Sequence, residues 1–155
     1  MTTVGSFEAD AQAPVFASGE IQIAAPPEVV WDVVANVDQW PEWNPGVSDV
    51  SLDGPISPGT TFNWKAGRSK IVSRFERVDR PRSVGWTGRT LGIPAIHVWK
   101  IEQADTGSRL STQESWGGWL TRLLRRKLQA MLDEAVQKGL QATKTEAERR
   151  ALKTV

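Results

Sequence analysis

Ile21-Gln-Ile-Ala-Ala-Pro-Pro-Glu-Val-Val-Trp-Asp-Val-Val-Ala-Asn-Val-Asp-Gln-Trp-Pro-Glu-Trp-Asn-Pro45 decides how this chain is read. A strand runs to Ile23 and stops at Pro26-Pro27, because proline has no N–H to give to a ladder. The same prolines suit the first turn of a helix, whose N–H groups are unpaired anyway. Glu28 then complements the positive end of that helix. Val30, Val33, Val34 and Val37 recur at helical spacing, with Trp31 and Ala35 beside them. Asp38 reads as the N-cap of a second short helix that Pro45 ends. A strand that breaks at once into two short helices and a tryptophan-bearing turn points to a curved sheet wrapped around a cavity.

Working outward, Pro14 to Ile23 alternates, with Val15, Ala17, Gly19, Ile21 and Ile23 on one face and Glu20 and Gln22 on the other. After Gly46 the pattern becomes strands separated by turn residues: Val47–Leu52, Thr60–Ala66, Lys70–Val78, Ser83–Thr90, Ile93–Gln103 and Arg109–Trp116. Turns such as Asp53-Gly54-Pro55, Asp79-Arg80-Pro81 and Asp105-Thr106-Gly107 at this spacing predict an antiparallel meander. Gly117-Gly118 ends the last strand. Trp119 to about Arg150 reads as one long helix whose apolar stripe holds Leu120, Leu124, Leu128, Met131, Leu132, Ala135 and Leu140. The expected organisation is a flexible leader at 1–13, one domain at 14–150 and a tail at 151–155.

Composition narrows the function classes. A net charge of +1 gives no field that favours nucleic acid or an anionic surface, so no nucleic-acid partner is expected. There is no cysteine, which removes disulfides, thiolate metal sites and cysteine nucleophiles. His97 is the single histidine, so a multi-histidine metal centre cannot form within one chain, and no metal is expected. No stretch reaches the roughly 18 apolar residues of a membrane span, so no membrane insertion is expected. The N-terminal residues lack a basic region followed by an apolar one, and a cytoplasmic location is the default. Thr87-Gly88 and Gly117-Gly118 lack the strand–loop–lysine arrangement of a phosphate loop. Eight tryptophans against four phenylalanines and no tyrosine is a lopsided set. Several of these rings are expected to line a space and not merely fill a core.

The chain resembles the polyketide cyclase/dehydrase and lipid-transport branch of the START-type superfamily, within the pollen-allergen-like group. The residues that carry the likeness are Ala25-Pro-Pro-Glu-Val-Val-Trp-Asp-Val-Val34, Trp40-Pro-Glu-Trp-Asn-Pro45, Arg80-Pro81, Trp86-Thr-Gly88, Ile96-His-Val-Trp99, and Gly107 followed by Thr112-Gln-Glu-Ser-Trp116. The likeness covers about residues 14–149. It implies an α+β helix-grip fold: a curved antiparallel seven-stranded sheet around a long C-terminal helix, with two short helices between strands 1 and 2. It also implies an apolar cavity between sheet and helix, and no cofactor. It does not name the chemistry, because carriers, cyclases and hydrolases share such a fold.

Alternation within the strands suggests which side chains face the cavity. Phe62 and Trp64 share a face, as do Ile71, Ser73 and Phe75. Leu110, Thr112, Glu114 and Trp116 share another. A four-residue turn between the last two strands pairs Ile101 with Leu110, Trp99 with Thr112 and His97 with Glu114. Val84, Trp86 and Gly88 lie on one side of their strand and Thr87 and Arg89 on the other; the pattern does not say which side is inward. The expected ligand-binding set is Phe62, Trp64, Phe75, Trp86, Trp99, Thr112 and Trp116, with Leu124, Leu128 and Met131 from the long helix. Trp31, Trp40 and Trp43 read as packing residues, with Trp40 or Trp43 at the cavity entrance. Leu123-Leu-Arg-Arg-Lys-Leu128 reads as the solvated basic flank of a core-packing helix, in preference to a membrane-surface helix.

Three functions fit. The first is binding of a small hydrophobic molecule, such as a lipid, polyketide or aromatic metabolite. The second is a polyketide cyclase or dehydratase reaction with His97 and Glu114 as the acid/base pair, since a histidine oriented by a carboxylate titrates near neutrality. The third is an interaction module whose groove holds a partner segment. A monomer or weak homodimer is expected.

Overall fold

The computed structural model describes residues 6–153. Residues 1–5 and 154–155, which belong to the expected leader and tail, lie outside them. The element order is β1 (Val15–Ile23), α1 (Pro27–Ala35), a 3-10 turn (Val37–Gln39), α2 (Trp40–Trp43), β2 (Val47–Leu52), β3 (Thr61–Ala66), β4 (Ser69–Asp79), β5 (Ser83–Thr90), β6 (Ile93–Gln103), β7 (Ser108–Trp116), α3 (Trp119–Leu123) and α4 (Arg125–Lys153). The strands form one seven-stranded antiparallel sheet in the order β1-β7-β6-β5-β4-β3-β2. The fold is the helix-grip α+β arrangement, with the sheet curved around the C-terminal helix. At 29 residues and 1.5 Å per residue, α4 is about 43 Å long.

The Pro26-Pro27 corner behaves as its chemistry requires. Pro26 is the N-cap of α1, Pro27 occupies the first helical position, and Glu28 sits in the first turn. The carbonyl just before the corner, on Ala25, accepts the Ser108 hydroxyl at 2.7 Å. Gly107, at φ +90°, passes so close that a Cβ there would stand 2.1 Å from the Ile23 carbonyl oxygen. Only glycine fits this crossing, for both reasons. At the far side of α1, Arg80 grips Asp32 with two bonds of 2.9 and 3.0 Å, and the Trp31 indole donates to the Ser83 carbonyl at 2.9 Å.

Two local expectations change. Asp38 is not an N-cap: it lies inside the 3-10 turn, and α2 starts at Trp40 after Gln39 with no side-chain cap. The long C-terminal helix is broken at Leu124, whose backbone (φ −106°, ψ 25°) leaves the helical region. The buried side of α4 runs through Leu128, Leu132, Val136, Leu140, Thr143, Glu146 and Ala147. Leu124 and Met131 stand off that line, at 42% and 49% exposure. An amide clamp fixes the helix to the edge strand: Gln129 donates to the Phe16 carbonyl at 2.7 Å and accepts the Phe16 N–H at 3.2 Å. Residues 7–10 lie on the convex face, where the Phe7 ring covers Gly85, Glu8 pairs with Lys100, and the Asp10 N–H meets the Ser115 hydroxyl.

A tryptophan-lined interior with a polar corner

The register decides which side chains share the concave face. Cross-strand neighbours point the same way, so each row of partners is a row of the cavity wall. One row is Ala17, Glu114, His97, Trp86 and Phe75. The next, toward the β6–β7 turn, is Gly19, Thr112, Trp99, Val84 and Val78. On the other side runs Val15, Trp116, Ala95, Gly88, Ser73 and Phe62. Trp86 therefore points inward, which the sequence left open. His97 stands opposite Glu114 and Trp99 opposite Thr112, the register expected from the four-residue turn.

Ring contacts knit these rows into an apolar, tryptophan-rich pocket. Trp40 reaches in from α2 and meets Trp64 at 5.2 Å, Trp86 at 5.4 Å and Phe62 at 5.9 Å between ring centroids. Phe62 lies 4.8 Å from Phe75, and the His97 ring lies 5.2 Å from Trp86 and 4.9 Å from Trp99. Most pairs are tilted or edge-on, as the aromatic quadrupole favours. The central place of Trp40 is the feature that strand alternation missed. Its N–H bonds the Val34 carbonyl at 3.0 Å, which turns the ring off the short helix and into the pocket. Trp43 is half-buried beside the core.

Along β5, β6 and β7 the interior is more exposed toward one end of the sheet, its open end, although Val15, Ser73 and Phe62 in the row of Trp116 stay buried. Thr112, Trp99 and Val84 are buried, Glu114 and His97 keep 17% of their side chains exposed, and Trp116, Ala95 and Gly88 are half-buried. That end carries the β3–β4 and β5–β6 turns and α3. Of the ligand set read from sequence, Phe62, Phe75, Trp86, Trp99 and Thr112 are buried, Trp64 and Trp116 half-buried, and Leu128 9% exposed. Leu124 and Met131 are not brought to this interior to the same degree.

One corner is polar. His97 Nε2 lies 2.9 Å from the Thr112 hydroxyl oxygen, which in turn donates to the Val98 carbonyl at 2.9 Å. A hydroxyl has one proton, so this bond leaves it to accept from Nε2–H, and that tautomer is assigned on this ground. The bare Nδ1 then faces Glu114 Oε2 at 3.5 Å. The other Glu114 oxygen accepts the Trp116 indole N–H at 3.1 Å. Burial pushes the His97 pKa below its ordinary 6.5, while the Glu114 charge pulls the other way and is the weaker influence. A neutral His97 beside Glu114 thus presents two acceptors on one side. Elsewhere in the interior, Trp64 satisfies its N–H on the Ser73 hydroxyl at 3.1 Å. The buried Trp99 N–H has no acceptor among the described residues.

Comparison with known proteins agrees with the architecture. No curated protein matches the chain. Solved structures do. A Helicobacter pylori protein described as hypothetical superposes with a TM-score of 0.76 at 15% identity, over 97% of this chain and 99% of that one. The Zhui aromatase/cyclase of a Streptomyces species gives 0.74 at 21% identity, over 87% and 94%. The di-domain ARO/CYC StfQ of the steffimycin biosynthetic pathway gives 0.75 at 16% identity, with 88% of this chain on 51% of that one. At such identities these likenesses speak for the fold alone. The model of the family described as polyketide cyclase / dehydrase and lipid transport matches residues 15–148, the whole sheet and most of α4. With the sheet order, the two short helices after β1 and the gripped C-terminal helix in place, the chain belongs to the polyketide cyclase / dehydrase and lipid transport family.

Proposed function

We propose that this protein binds a small hydrophobic molecule, a lipid, polyketide or aromatic metabolite, in the pocket between the sheet and α4. The observation that carries this reading is the continuous wall formed by Trp40, Trp64, Trp86 and Trp99, which ends in the polar corner of His97, Thr112 and Glu114. Flat rings stack or pack edge-on against such a wall. The ligand carries a hydroxyl or enol, since the two facing acceptors, His97 Nδ1 and Glu114 Oε2, ask for a donor. The reading takes the protein to be cytoplasmic, and monomeric or weakly dimeric. A panel of fatty acids, polycyclic phenols and their methyl ethers tests the binding. Binders should raise the melting temperature and perturb tryptophan emission, and the free phenols should bind more tightly than the ethers. No response to any member sinks the proposal.

A second reading, cyclase or dehydratase chemistry, is favoured by the same corner. His97 and Glu114 face one another near the opening, each 17% exposed, where a substrate proton can be taken by one and returned by the other. His97→Gln and Glu114→Gln should each lower turnover of a poly-β-keto substrate by about 10²-fold or more if the pair performs acid–base catalysis. Unchanged rates leave the binding reading alone.

A further inference from the structure

The end of the molecule where the pocket opens differs from the rest of the surface in charge and in apolar exposure. Eleven of the nineteen lysines and arginines are held in ion pairs. Of the other eight, Lys153 ends α4 and the remaining seven gather at the opening. Arg122, Arg125, Arg126 and Lys127 come from α3 and the start of α4. Arg68 and Lys70 flank the β3–β4 turn, and Arg89 lies near the end of β5. All seven are exposed, and none makes an ion pair or side-chain hydrogen bond among the described residues. No acidic residue occurs between Trp116 and Leu132. A near-neutral chain has thus concentrated its unpaired positive charge at one end.

Apolar side chains stand out among these cations. Leu91 at the β5–β6 turn is 80% exposed, Trp119 76% and Leu123 72%. The two segments adjoin: the Gly117 N–H bonds the Pro94 carbonyl at 2.9 Å, and Gly118 lies against Pro94. Trp119 and Leu123 are four residues apart and share one face of α3. Thr121, between them on α3, is fully buried. Arg122 follows Trp119 by three residues within α3, and Arg125 and Arg126 open α4 just after Leu123, so cations adjoin the apolar pair. A solvated basic flank accounts for Arg125 to Lys127, but not for an exposed tryptophan and two exposed leucines at the same end.

We infer that this end of the molecule is a docking surface for an anionic lipid bilayer, with Trp119, Leu123 and Leu91 entering the headgroup region and the basic residues meeting lipid phosphates. The occupant follows from charge complementarity and shape. The three apolar side chains stand well exposed on a turn and a five-residue helix, and a bilayer interface accepts projecting tryptophan and leucine between arginines. The surface surrounds the pocket opening, so a docked molecule faces the bilayer with its cavity mouth. The docking itself stands whether or not the pocket holds a ligand.

Cosedimentation with vesicles of phosphatidylcholine, with and without phosphatidylglycerol, tests this on the full chain. Binding to the phosphatidylglycerol vesicles at low salt is expected, with loss at high salt and little binding to phosphatidylcholine alone. The pair Arg122→Glu and Arg126→Glu should weaken binding by at least about tenfold, at roughly fivefold per basic residue removed. Trp119→Phe should abolish a vesicle-induced blue shift of emission. These exposed positions should leave the melting temperature unchanged, which separates lost docking from lost folding. Absence of binding to phosphatidylglycerol vesicles, or binding that both variants retain in full, overturns the inference. Tight binding of polyglutamate without vesicle binding also overturns it, and assigns the surface to an acidic protein instead.

Discussion

His97 is the most constrained titratable group in the interior. It is packed between Trp86 and Trp99 and tied to Thr112, and burial keeps its pKa below 6.5. The unfolded chain therefore takes up this proton at a higher pH than the folded one. The stability contribution is complete above about pH 6.5 and is lost as the pH falls below it. His97→Gln, which keeps a donor for Thr112, should flatten the slope of stability against pH just below 6.5, measured by urea unfolding across that range. Glu146 shows the opposite sign. Its 8%-exposed carboxylate is held by Arg149 at 2.6 Å and Arg150 at 2.9 Å, and its pKa falls to about 2. Hydrogen bonding to Arg149 is the largest cause. This contribution is present above about pH 4.5 and is lost as the pH falls toward 2. Because both arginines are partly in solvent, which screens the pair, the contribution is on the order of 1 kcal/mol. Glu146→Gln should lower the melting temperature at neutral pH and remove most of that acid sensitivity.

At the scale of elements, the double-proline corner and the buried line of α4 carry the fold. Gly107 sits at φ +90° with the Ile23 carbonyl where a Cβ would go, so even Gly107→Ala forces the β6–β7 turn and the corner apart. A loss of roughly 2 kcal/mol or more in chemical unfolding is expected, at the upper end for a single strained backbone position. Leu132 is fully buried where α4 meets the core, and Leu132→Ala should cost about 2–5 kcal/mol. Met131 beside it is 49% exposed, so Met131→Ala should cost well under half of that, and the contrast checks which face of α4 is gripped.

The whole molecule divides into a closed end and an open one. The closed end holds the Pro26-Pro27 corner, the Arg80–Asp32 pair and the Glu146 cluster, which ties α4 to the segment after α1 through Arg150 and Gln39. The open end is tied by the Lys65–Asp49 pair and the Gly117–Pro94 bond, and along β5, β6 and β7 the interior is more exposed there. Among the described residues no helix is long and apolar enough to cross a membrane. Ligand binding should therefore stabilise the open end in particular. Hydrogen exchange with a bound hydrophobic ligand should slow most at the ends of β5, β6 and β7 near Thr90, Ile93 and Trp116, and little around Pro26-Pro27.

The sequence by itself determined the element order, the antiparallel meander and the pairing of His97 with Glu114. Strand alternation, turn residues and double proline are local signals, and a short hairpin turn sets register without help from distant contacts. Only the tertiary structure decided that Trp86 faces inward, since Val84, Trp86 and Gly88 alternate equally well for either side until the neighbouring strands are in register. The same holds for Trp40, which a four-residue helix delivers to the middle of the aromatic wall. It holds too for Leu124 and Met131, whose helical spacing from Leu128 matches the stripe but whose exposure depends on the break at Leu124 and on how α4 seats against β1. The gathering of unpaired cations at the open end was equally illegible, because Arg68, Arg89 and Arg122 lie far apart in the chain and meet at one end only after the sheet is built.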